Sequence, residues 1–192
     1  MGHPGARFVI PFVREGDDLV AELDDFEVAL IASLVSQVVE LVGGGTPDAP
    51  SDPFDRWARE MGAGPRLDRS DPVVARLFPD AYADETAAAE HRRFSEEALR
   101  CARVADSDVV LAGLDATREG AEPLVVHADD VEAWLKTLNG VRLSLAVRLG
   151  IDSEDDHAEL ERLPARDPRT QLVALYDWLG LVLESLIEAL HG

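Results

Sequence analysis

Two stretches of this sequence, Phe26 to Val42 and Pro168 to Leu190, are apolar around most of the circumference that a helix would present. In the first, Phe26, Leu30, Leu34, Val38 and Leu41 recur at helical spacing, and a second stripe of Val28, Ile31, Val35, Val39 and Val42 widens the apolar arc. A narrow line of Glu27, Ser33, Ser36, Gln37 and Glu40 stays polar, and the last stretch carries a similar line of Asp177, Gly180, Glu184 and Glu188. A surface helix needs an apolar stripe on one side, so a helix apolar nearly all round belongs in a core or across an interface. Two of them in 192 residues predict a mainly α fold, a helical bundle in which they pack against each other at the centre. The alternative is that one of them seals a homodimer.

The remaining elements are read around that pair. Phe8 to Arg14 is apolar and β-prone, Glu15-Gly16-Asp17-Asp18 supplies turn chemistry, and Leu19 to Leu23 resumes, which predicts a small N-terminal β-hairpin. Leu124-Val125-Val126, brief and β-branched after Pro123, is placed beside it as the third strand of a sheet. Asp24 and Asp25 suit the capped, positive end of the first apolar helix. Residues 43–71 read as a long, partly mobile excursion with a short helix around Phe54, Trp57 and Met61, and Asp71-Pro72 opens a helical turn ending near Pro79. A helix over 84–105 is expected to break at Asp106-Ser107, before a short helix over 109–114. His127 to Asp130 caps a helix ending near Gly150, the acidic run Asp152 to Glu161 within 152–166 reads as a solvated loop with room for a helical turn, and Asp167-Pro168 opens the last helix. The chain is read as a single domain, 1–192.

The charge balance narrows the partners. Thirty-eight acidic residues against 18 basic ones give a formal net charge of −20. A field of that sign repels phosphates, which argues against direct nucleic-acid binding and against anionic membrane surfaces, and suits docking onto a basic protein. No run of apolar residues is long enough to span a bilayer, and Met1 to Pro11 has no leader pattern, so a cytoplasmic protein is the expectation.

Catalytic motifs are not found. Gly43-Gly44-Gly45 follows a helix and precedes a proline-rich segment, the reverse of a phosphate cradle. The histidines at 3, 91, 127, 157 and 191 show no zinc-binding helical spacing to one another. His157 lies among Asp155, Asp156 and Glu159, but the segment lacks a calcium loop's alternating oxygens and is read as a solvated acidic run. Neither a cofactor nor a metal is expected, and the protein is read as non-enzymatic.

Two side chains attract notice. Arg142 falls within the apolar stripe of Val131, Leu135, Leu138, Leu145 and Leu149, where a charge needs a carboxylate partner. Asp177 is the expected one, with Glu184 as the fallback. This pairing is read as a structural ion pair between helices, the functional alternative being an interface arginine awaiting a partner protein. Cys101, the single cysteine, is flanked by Arg100 and Arg103, with Arg92 and Arg93 some turns earlier. Nearby cations would favour its thiolate and its oxidation, whereas the plainer reading is a small buried hydrophobe.

Four strings taken together carry a resemblance: Leu23-Asp24-Asp25-Phe26-Glu27 after the hairpin, Arg76 to Tyr82, Trp134 to Leu143 with Arg148 to Ile151, and Tyr176-Asp177-Trp178-Leu179-Gly180 with Glu184-Ser185-Leu186. In this order they resemble the actinobacterial family catalogued as domain of unknown function 2017, which takes in oxidative-stress regulators and is typically encoded beside the Clp protease adaptor ClpS. The resemblance implies a stress-linked transcription regulator, acting through a sigma factor or RNA polymerase and sensing through a closely spaced pair of cysteines. Gene neighbourhood alone suggests the alternative, an accessory to Clp-dependent proteolysis. Here Glu97 and Ala105 stand four residues either side of Cys101, so that cysteine pair is absent. The tryptophans of these strings, Trp134 and Trp178, join Arg142 and Asp177 as candidate interface or structural residues.

Overall fold

The computed structural model describes residues 12–43, 67–81 and 84–191. Six α-helices and a three-stranded antiparallel sheet are found among them. The hairpin is β1 (Val13–Glu15) and β2 (Asp18–Ala21), paired Val13 with Val20 and turned by Gly16 at φ +70°. As predicted, β3 (Leu124–Val126) lies on the far side of β2, with Leu19 opposite Val126. Alternation puts Leu19, Ala21, Leu124 and Val126 into the core and leaves Val13 and Val125 outside.

Helix α1 (Asp25–Leu41) opens as the sequence predicts: Asp24 accepts from the Glu27 amide at 2.8 Å, and the Glu27 carboxylate accepts from the Asp24 amide at 3.0 Å. This reciprocal cap satisfies two amides that have no partner within the helix. It also explains why Glu27, assigned to the polar line, is buried, with its carboxyl pushed up first by burial and then by the neighbouring Asp24 charge. The core face is drawn mainly from the second stripe, Val28, Ile31 and Val35, joined by Val38 of the first, whereas Phe26 is 61 % exposed. Helix α2 (Pro72–Leu77) is capped by Asp71, which accepts from Val73 N at 2.7 Å.

The predicted break at Asp106-Ser107 does not occur. Helix α3 (Glu85–Ala116) runs through it, because Ser107 Oγ donates to the Arg103 carbonyl at 2.9 Å and so satisfies its hydroxyl within the helix. Three residues with positive φ, Arg118, Glu119 and Gly120, then turn the chain towards β3. After a 3-10 turn (Ala128–Asp130), α4 (Val131–Leu149) ends at Gly150, whose φ of +73° makes a left-handed cap. The acidic run is not a loop throughout: α5 (Glu154–Glu161) starts at a second reciprocal cap, between Ser153 and Asp156. The last helix is α6 (Arg169–His191).

The two very apolar helices are not each other's main partners. Helix α4 is central, packed against α1, α2, α3 and α6, while α1 rests on α3 and α4. Its periphery is small or modestly polar (Ala133, Thr137, Gly140, Ser144, Ala146), and all of these are buried. Such residues let neighbouring backbones approach from several sides, with Ser144 Oγ satisfied by the Gly140 carbonyl at 2.8 Å. The sheet is tied to α6 by Phe12 N donating to Ser185 Oγ at 2.7 Å and by Arg14 reaching the Leu190 carbonyl at 3.2 Å. Most of the predicted 43–71 excursion, including its Phe54–Trp57–Met61 helix, lies outside the described residues. No helix among the described residues is long and apolar enough to cross a membrane.

Candidate functional site

A groove runs between α4 and α6, and Arg142 projects into it. Arg142 does not pair with Asp177, nor with Glu184: among the described residues neither carboxylate comes within ion-pair distance of it. Its guanidinium lies over the Tyr176 ring, 4.1 Å from the centroid. Gly180 makes the room, since a Cβ there would sit 3.3 Å from Arg142 Nε. Stacking on the ring keeps the cation favourably placed without a carboxylate. The Nε itself is buried and has no hydrogen-bond partner among the described residues.

Asp177 is engaged elsewhere. Its Oδ1 lies 2.7 Å from His157 Nε2 of α5. Glu161, one turn after His157, completes a cluster whose three ligand atoms lie within 4.8 Å of one another. His157 also stacks obliquely on Tyr176, with ring centroids 5.5 Å apart. The acids expected around His157 are its chain neighbours Asp155, Asp156 and Glu159; the fold brings in Glu161 and Asp177 instead. That exchange could be read only if 154–161 were already seen as a helix.

The rest of the groove lining is mainly apolar and acidic, with Lys136 and Asn139 of α4 also in it. Leu135 of α4 lines it together with Leu181 and Ile187 of α6, which are 47 % and 45 % exposed, and with Glu184 and Glu188. Both tryptophans lie behind this surface rather than on it. Trp134 is 1 % exposed and packs against Gly113 of α3, and Trp178 is 4 % exposed with its indole N–H unpartnered among the described residues.

Cys101 lies on α3, remote in sequence from these groups, and it is exposed rather than buried. Its flanking cations do not serve it. Arg100 pairs with Glu97 and donates to the Gly43 carbonyl, and Arg103 turns away to the Leu77 carbonyl at 2.9 Å and over the Phe78 ring. The thiol instead donates to Glu97 at 3.4 Å. Its pKa is pushed up, first because the surrounding helix surface strips water from the sulphur even though the residue as a whole is exposed, then by the Glu97 hydrogen bond and charge; Arg100 opposes this more weakly. An alkylating reagent should therefore modify the native protein without denaturant, at a rate that climbs as pH rises because only the thiolate reacts. Glu97→Gln should speed that reaction at neutral pH. Protection until unfolding, or no acceleration in the variant, would contradict this environment.

Comparison with known proteins places these features in a family. Residues 9–190 match a family described as a domain of unknown function, DUF2017. Proteins of Mycobacterium bovis and Mycobacterium tuberculosis, each named oxidative stress regulator AosR, are 27 % identical over 190 residues, spanning 93 % of this chain and 85 % of theirs. No solved structure matches.

Proposed function

From the premise that the chain belongs to the DUF2017 family, we propose that it is a non-enzymatic, stress-linked regulator that acts by docking onto a basic protein partner. The regulatory part rests on the name carried by its mycobacterial relatives. The observation that carries the docking mode is the α4–α6 groove, lined by exposed Leu181 and Ile187 together with the carboxylates of Glu184 and Glu188. Apolar anchors among acidic side chains suit an amphipathic, basic helix, with the carboxylates setting register and on-rate. The formal charge of −20 favours a protein over DNA as the contact, so transcription would be reached through a sigma factor or RNA polymerase.

The test is affinity purification from the native host, with and without peroxide, comparing the wild type with a Leu181→Asp/Ile187→Asp variant. Sigma factor or polymerase subunits recovered with the wild type and lost with the variant support the reading. Clp subunits recovered in their place would move the protein to proteolysis. Tight binding to duplex DNA that weakens steeply with salt would overturn the indirect mode.

A further inference from the structure

The cluster at the α5–α6 junction has the composition and spacing of a metal site. His157 and Glu161 are four residues apart on α5 and so project from the same face, and Asp177 meets them from α6. A histidine–carboxylate hydrogen bond needs one carboxylate. Here a second is brought to the same point, and among the described residues no lysine or arginine comes within ion-pair distance of Glu161 or Asp177. Two like charges held together are unfavourable unless a cation, either the protonated imidazole or a bound metal ion, lies between them.

We propose that His157 Nε2 with one carboxylate oxygen each of Glu161 and Asp177 form a three-ligand site for a zinc-class divalent ion, clipping α5 onto α6. Donors around such an ion sit about 3.4 Å apart when each bond is near 2.1 Å. The 2.7 Å contact between His157 and Asp177 has only to open slightly, and the other separations, all within 4.8 Å, to close by about an ångström or so. Imidazole with only two carboxylates suits zinc, cobalt or manganese better than calcium, which wants six or more oxygens.

The helices that present the ligands are held independently of any ion. Leu160 of α5 packs with Leu149 and Val173 in a small core of its own, and the Ser153–Asp156 cap sets the start of α5. The side chains of His157 and Asp177 are 26 % and 40 % exposed, so an ion can reach them from solvent. Three protein ligands leave a coordination position open, which is the pattern of an exchangeable site rather than a closed structural one. This site does not depend on the docking mode argued above.

The test uses the untagged full chain, stripped with a chelator and titrated with zinc while thermal unfolding is followed. Zinc at about a hundredfold over its dissociation constant should raise the melting temperature by roughly 5–10 °C. Cobalt should give the visible absorption of a low-coordinate, protein-bound ion. His157→Gln and Asp177→Asn should each abolish the shift. Glu161→Gln, a change at an exposed position that leaves folding intact, should weaken binding about tenfold or more, and His127→Gln should change nothing. The proposal is overturned if zinc produces no shift, or if the shift and the cobalt spectrum persist in the Glu161→Gln and His157→Gln variants, which would make the binding scattered surface carboxylates only.

Discussion

Replacing Trp134 by alanine should cost about 3–5 kcal/mol, lowering the melting temperature by roughly 10 °C or more in a chain of this size. The indole is 1 % exposed on the central helix α4 and belongs to the main hydrophobic core. Its neighbour on α3 is Gly113, where a Cβ would stand only 3.0 Å from the ring. The glycine contributes no side chain that could swing into the space left behind, and the two backbones are held by the rest of the core. The cavity therefore stays open. Thermal unfolding followed by circular dichroism measures the loss, and Trp134→Phe should forfeit a smaller part of it. A cost under about 1 kcal/mol would show that the site collapses instead, and that α4 is not held as described.

Gly120→Ala should be the other severe change, at roughly 3 kcal/mol and about 6–12 °C. Gly120 has φ +82°, and a Cβ there would meet the backbone of Leu23, Asp24 and Asp25 at 2.8 Å. Those atoms belong to the cap that starts α1, so relief requires moving either the helix or the loop. Gly150 is the internal comparison. Its φ is +73°, with nothing within 4 Å of an added Cβ. Gly150→Ala should then cost only the left-handed backbone penalty of about 1–2 kcal/mol, and the excess at Gly120 measures the steric part. Equal losses at the two positions would remove the argument for close contact between loop and cap.

What could be read from the sequence follows from how local each signal is. Turn chemistry within 15–18 and the acids at 24–25 act over a few residues, and the hairpin turn and the cap both appear there, although Phe8 to Pro11 of the expected first strand lie outside the described residues. The third strand was legible because a short apolar triplet carrying two valines after a proline has few other uses. The break assigned to Asp106-Ser107 failed because a serine that bonds back to the preceding turn looks, in sequence, the same as one that caps a new helix. The central position of α4 was hidden by its own composition, since Thr137, Gly140 and Ser144 look peripheral but are what allows close packing. At the candidate site, the position of Arg142 was legible and its partner was not. A stacked Tyr176 beside a slot at Gly180 is a tertiary arrangement, and Asp177 is drawn to His157, which sits on a helix that its acidic composition concealed.

The small sheet bears on how copies of this protein can meet. Its order is β1-β2-β3, so β1 and β3 are the edges, and each is three residues long as described. Edges this short present few free amides and carbonyls to a neighbouring chain, and β1 carries Arg14 and Glu15 besides. Arg14 is further drawn over to the end of α6. Strand-to-strand templating, the common route by which exposed sheets seed fibrils or exchange segments, thus has little to start from among the described residues, where association falls to helical surfaces, side chain against side chain.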